Sequence, residues 1–149
     1  MQHIAIMQKS WGLTEKIATG QKVIESRWYK VKYPPWGKIF PGEKVYFKNT
    51  GEPISIQVEV DHVHYFSDLT PGKVQAILAK YGKSMGIEAP DIPRFFEMFK
   101  HKKYCMLIYL KNAQRIPPFK INKQGFGARA SWISIESVSQ VSVLPTNGS

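Results

Sequence analysis

Gly20-Gln21-Lys22-Val23-Ile24-Glu25-Ser26-Arg27 lies where a short helix gives way to a strand, and the rest of the chain arranges itself around that junction. Upstream, Ser10 is placed to cap a helix over Trp11 to Thr19, with Leu13 and Ile17 one turn apart on its inner face. Gly20 ends that helix in the left-handed conformation that glycine adopts without steric cost. Downstream, Val23, Ile24, Trp28, Tyr29 and Val31 mark a strand over Lys22 to Val31. Alternation along it puts Glu25 and Arg27 on one face, where carboxylate and guanidinium can pair. An Arg held in that way presents a planar fork suited to a base edge or a phosphate. Lys22 falls on the opposite face by strict alternation. It therefore shares a cleft with the other two only if it precedes the regular strand. A salt bridge of purely structural use is the alternative for the trio.

Further out, His3 to Met7 reads as a buried strand. The stretch from Tyr33 to Gly42, with Pro34-Pro35 and Pro41-Gly42, reads as loop. Glu43 to Lys48 and Ile54 to Phe66 form a hairpin around Asn49-Thr50-Gly51-Glu52, with Ile54, Ile56, Val58 and Val60 at period two. Thr70-Pro71 opens a helix through Lys80, and Ile92 to Lys100, with Phe95, Phe96 and Phe99, forms a second. Tyr104 to Leu110 is a continuous apolar strand and Ala130 to Val138 the last one, with Trp132 in the core. There is no repeat and no linker, so residues 1–144 are expected to form one domain, followed by a frayed tail over 145–149. The fold class is α+β: a small barrel of about six strands with an early plugging helix and a helical insertion.

The quoted stretch resembles the G-x-K-x-x-E-x-R signature of ASCH domains, which are PUA-like barrels. Pro41-Gly42-Glu43-Lys44-Val45-Tyr46-Phe47 resembles that family's G-D-x-V-Y-F strand, and Val58, Val60 and Val63 continue the pattern. The resemblance runs over roughly residues 3 to 138. It implies an RNA- or nucleotide-binding module with a basic cleft at the signature. It also implies a hydrolytic alternative. In an N4-acetylcytidine amidohydrolase of this kind Lys22 would match the catalytic Lys, but Glu25 stands where the Thr nucleophile is expected, and Glu59 is the strand-placed candidate for the later Glu. A metal-independent ribonuclease would need Lys22, Arg27 and a Tyr, either Tyr29 or Tyr46. If the protein is an enzyme, Lys22, Glu25 and Arg27 are its expected catalytic residues.

Charge agrees with an anionic partner: 21 Lys and Arg against 11 Asp and Glu give a formal net charge of +10. Aromatic residues, 13% of the chain, supply stacking surfaces. RNA, another single-stranded nucleic acid or a nucleotide is the expected partner, with a protein partner as a further possibility. Arg27 oriented by Glu25 is expected to contact a phosphate or base edge, and Lys22 a phosphate. Ser26 and Tyr29 belong to the same strand. Trp36 with Lys38 nearby would stack at the rim, and Lys123 and Arg129 would extend a basic track. Trp11 and Trp28 read as core, with the cleft as their alternative.

No cofactor or metal is expected, because His62-Val63-His64 brings two ligands and no third at a recognisable spacing. Cys105, alone in an apolar run, reads as a buried structural thiol. No apolar run approaches the length of a membrane span, and His3 to Met7 is too short for a signal-peptide core, so cytoplasmic residence is the default expectation.

Overall fold

Strands β1 (Gln2–Met7), β2 (Ile24–Tyr29), β3 (Lys44–Asn49), β4 (Ile54–Phe66), β5 (Tyr104–Ile121) and β6 (Trp132–Ile135) form a mixed sheet in the order β2-β5-β4-β3-β1-β6. A short β7 (Ser142–Val143) pairs with the far end of β5. The described residues also form three α-helices, α1 (Leu13–Ala18), α2 (Pro71–Tyr81) and α3 (Ile92–Phe99). This is a computed structural model, and it describes residues 1–123, 125–126 and 130–143. β1 and β3 run parallel and the other neighbours antiparallel, so the chain leaves β1, lays β2 on the far edge of the sheet, and returns to β3. Among the described residues no backbone ladder joins the edge strands β2 and β6. The curled sheet is closed there by a side chain instead, Arg27 of β2 reaching Ser131 just before β6.

Period-two patterning accounts for the sheet's inner face. Ile56, Val58 and Val60 of β4 meet Val45, Phe47, Ala5, Met106 and Ile108 in the barrel interior, where Leu13 and Ile17 of α1 also lie. The early helix therefore plugs the barrel as the sequence implies. On the outer face, Ile24 and Trp28 of β2 with Cys105 and Leu107 of β5 meet Val74, Ile77, Leu78 and Phe95 of the helical insertion. Burial there pushes the Cys105 thiol up in pKa, which keeps it protonated and inert. A third core, around Ile4, Tyr46 and Ile133, is covered by Ile116, Phe119 and Ile121 from the tail of β5.

Four expectations change. The helix expected from Trp11 to Thr19 is two pieces: a single 3₁₀ turn at Lys9–Trp11, then α1, with Gly12 between them at φ 67°. A left-handed residue interrupts the helical ladder, and the Ser10 cap is not formed. β2 starts at Ile24, so Lys22 precedes the strand as a shared cleft requires. β5 does not stop at Leu110 but continues to Ile121, past Asn112 at φ 54°. Pro117 and Pro118 are tolerated because they fall where the β4–β5 register jumps from Ile56↔Arg115 to Ile54↔Phe119. The last strand shrinks to Trp132–Ile135, after which Ser137 caps a 3₁₀ turn at Val138–Gln140. The expected domain end at Leu144 and the 145–149 tail lie outside the described residues. No helix among those residues is long and apolar enough to cross a membrane.

Candidate functional site

A cavity of about 310 Å³ opens along the seam between β2 and the β1–β6 edge. Its polar side is the junction of helix and strand. Gly20 turns the chain at φ 81°, Lys22 N–H donates to Lys16 O at 3.0 Å, and the Lys22 side chain runs inward, 2% exposed. Its Nζ donates to Ile24 O at 2.6 Å and Met85 O at 2.9 Å, and lies 3.1 Å from Glu25 Oε1. Three acceptors match the three protons of an ammonium, so Lys22 is charged and its donor capacity is spent. Gly86 makes room for this. At φ 82°, it would carry a Cβ 3.2 Å from Lys22 Cβ and 3.3 Å from Leu13 Cδ2, and its carbonyl accepts Lys16 Nζ at 2.7 Å.

Glu25 divides its two oxygens. Oε1 faces Lys22, while Oε2 accepts Arg27 Nε at 3.1 Å and Nη2 at 2.8 Å. Burial pushes the Glu25 carboxyl up, but the Lys22 and Arg27 charges and their hydrogen bonds outweigh it and hold the group below the usual carboxylate range. Burial pushes Lys22 below the ordinary lysine range, with Glu25 opposing. Arg27 lies over the Trp132 ring at 5.0 Å. Its Nη2 also points to Met7 Sδ at 3.6 Å, and its Nη1 donates to Ser131 Oγ at 3.2 Å and Ser131 O at 3.4 Å. The last two contacts are long and lie at the solvent side. A ligand oxygen could replace them.

The remaining walls are aromatic and apolar. Trp11 meets Phe95 edge-on at 5.5 Å, and Trp28 stacks on Phe99 at 4.6 Å with 6° between planes. Ser26 Oγ accepts Trp28 Nε1 at 2.9 Å, and burial pushes the Tyr29 hydroxyl up to about 12. Lys102 and Gln8 also line the cavity.

Of the residues expected from sequence, Lys22, Glu25, Ser26, Arg27 and Tyr29 line this one cavity. Trp36 and Lys38 do not. Trp36 is wedged edge-on between Tyr65 (4.8 Å) and Tyr104 (5.4 Å), with Lys32 Nζ over its ring at 5.7 Å. Lys123 is likewise absent from the lining and lies near Lys48. Arg129 lies outside the described residues. Tyr46 is buried in the third core, and Glu59 pairs with Lys44 and Lys111, so neither reaches the cavity. His62 pairs with Asp61 and stacks on Tyr109, and no group of three or more His, Cys, Asp or Glu among the described residues could hold a metal ion.

Sequence reasoning missed the contributions of Phe95, Phe99, Lys102 and Ser131. The Phe95/Phe99 spacing of four was a visible signal of one helix face. Nothing in the sequence singles out Ser131 or Lys102.

No protein-family model matches the chain, and no curated protein matches it in sequence. In three dimensions it is similar to an ASCH protein from Zymomonas mobilis, with a TM-score of 0.65 at 14% identity over 93% of this chain and 91% of that one. A single-substitution variant of the same protein gives 0.65 at 13%, covering 93% of each chain. The N-terminal domain of Staphylothermus marinus McrB gives 0.60 at 13%, over 93% of this chain and 90% of that one. At such identity the likeness establishes the fold, an α+β PUA-like barrel of the ASCH type, and leaves function to the residues.

Proposed function

We propose that this ASCH-type barrel binds RNA, or another single-stranded nucleic acid, by seating one nucleotide in the seam cavity. The observation that carries the reading is Arg27: fixed from behind by Glu25, it turns its Nη1 edge toward a cavity with aromatic walls. A volume of about 310 Å³ is at the small end of ligand sites, as a single nucleotide requires. In this reading Nη1 exchanges its contacts to Ser131 for a phosphate or base oxygen, and Lys102 adds charge at the mouth. Trp11 and Tyr29 supply the stacking surface. Lys22 acts through Glu25, as a positioning residue. Trp36 and Lys38 lie off the cavity, and any contact they make is to flanking nucleotides.

The hydrolytic alternatives require Lys22 to polarise or protonate a substrate group. Its protons are already placed, and Glu25 is engaged on both oxygens. We therefore propose binding without turnover.

The test is fluorescence anisotropy with labelled single-stranded RNA, duplex RNA and DNA over a salt series, for wild type and Arg27→Ala. Loss of charge-assisted hydrogen bonds worth about 1.5–3 kcal/mol should weaken single-strand binding roughly ten- to hundredfold, with the RNA recovered intact. Equal, shallow binding of every polymer, untouched by the substitution, would reduce the site to a basic surface.

A further inference from the structure

A single strand separates the seam cavity from a second concave site. Ile6 of β1 lines the first, and its register partner on the parallel neighbour β3 is Lys48, which lines the second. Adjacent strands stand about 4.8 Å apart, a step shorter than one extended nucleotide. The second site, about 260 Å³, is walled by Lys48, Gly51, Glu52, Pro53, Lys120 and Ile121.

Its charges are out of balance. Glu52 is the one carboxylate in the lining, and it is already engaged by Lys9 at 2.8 Å and by Asn49 Nδ2 at 2.8 Å. Among the described residues neither Lys48 nor Lys120 takes part in an ion pair. Lys48 is half-buried, and burial followed by the nearby charge of Lys123 pushes it below the ordinary lysine range, with Glu52 opposing. Pairing with Val143 of β7 holds the Lys120 backbone, and its side chain is exposed. Two lysine side chains lining one concavity, against a single carboxylate that Lys9 and Asn49 already engage, favour an anion settling there.

We propose that the Lys48–Lys120 concavity is a phosphate subsite, taking the phosphodiester of the nucleotide next to the one in the seam, so that the nucleic-acid strand crosses the C-terminal end of β1. This rests on the seam cavity holding a nucleotide, and it gives the bound strand a direction: from Arg27, over Ile6, to Lys48.

The experiment compares wild type with a K48Q/K120Q variant on three probes: a 5′-nucleoside monophosphate, an eight-nucleotide single-stranded RNA and inorganic pyrophosphate. The variant should bind the monophosphate as wild type does and the oligonucleotide about tenfold more weakly. Its plot of log affinity against log salt should flatten by about 0.7, the loss of one neutralised phosphate on a single strand. Unchanged oligonucleotide affinity and slope would overturn the subsite, and so would an equal loss for the monophosphate. If wild type binds neither nucleotide probe, the seam reading fails on its own. Pyrophosphate then decides: lysine Cε NMR signals that shift in wild type, and are missing from the variant's shifting set, keep the anion site, whereas no shift overturns it.

Discussion

Buried polar groups gather at both ends of β1, and they behave differently. Near Met7, Lys22, Glu25 and Arg27 meet at the seam. Near Gln2, His3 is fully buried, with Nε2 at 2.9 Å from Glu43 Oε1 and Nδ1 at 2.8 Å from Ser134 Oγ. Trp132 lies between the two, under Arg27 on one side and donating Nε1 toward His3 Nδ1 and Ser134 Oγ at 3.2 Å on the other. In the His3 cluster both ring nitrogens are engaged, and His3, Glu43 and Ser134 line neither concavity described above. In the seam cluster one group, Arg27, has an edge that faces open volume through replaceable contacts. Burial of an ionisable group is thus common to both clusters. What sets the seam apart is a rigidly held donor that still has somewhere to point.

That contrast is broken most forcefully at Lys22. Lys22→Met leaves Glu25 buried with half its compensation, and should cost about 3–5 kcal/mol in urea unfolding. A loss under about 1 kcal/mol would mean that the pair is dispensable. Gly86→Ala comes next: a side chain at φ 82° pressing on Lys22 should cost about 1–3 kcal/mol and weaken RNA binding along with stability.

Acid separates the two clusters. Burial holds His3 below its ordinary 6.5, so the unfolded chain takes up the proton first, and stability should begin to fall as pH drops through about 6.5. Glu25, held below 4.5, contributes stability that is complete above that value and is lost only as pH falls through its depressed folded-state pKa. His3→Gln should remove the earlier decline and leave the later one, as read by urea midpoints across the pH range. The smallest effect is expected at the exposed Glu15–Arg115 pair, where Glu15→Gln should leave the urea midpoint unchanged.

Local rules made some of this site legible in advance. Period two put Glu25 beside Arg27, and a glycine turn after the helix brought Lys22 in before the strand. The barrel class followed from the same patterns together with the resemblance at residues 20–27. The cavity's other wall was not legible, because Met85, Phe95 and Phe99 reach the seam through packing of the helical insertion, a contact across some seventy residues of chain. Trp36 shows the converse. Loop composition indicates an exposed aromatic ring but not which side of the barrel the loop covers, and Tyr65 and Tyr104 claim it. The second half of β5 was hidden because its polar, proline-containing stretch from Lys111 to Pro118 carries no apolar alternation. Its ladder is supplied by β4.

The central claim, that nucleic acid enters the seam, is tested most directly by the indole N–H signals of the four tryptophans during titration with a short single-stranded RNA. Trp11, Trp28 and Trp132, which line the seam or lie under Arg27, should shift together and saturate at one affinity, and Arg27→Ala should abolish those shifts. Movement of Trp36 alone, with the other three unchanged, would contradict the account and move the binding surface to the proline-rich loop.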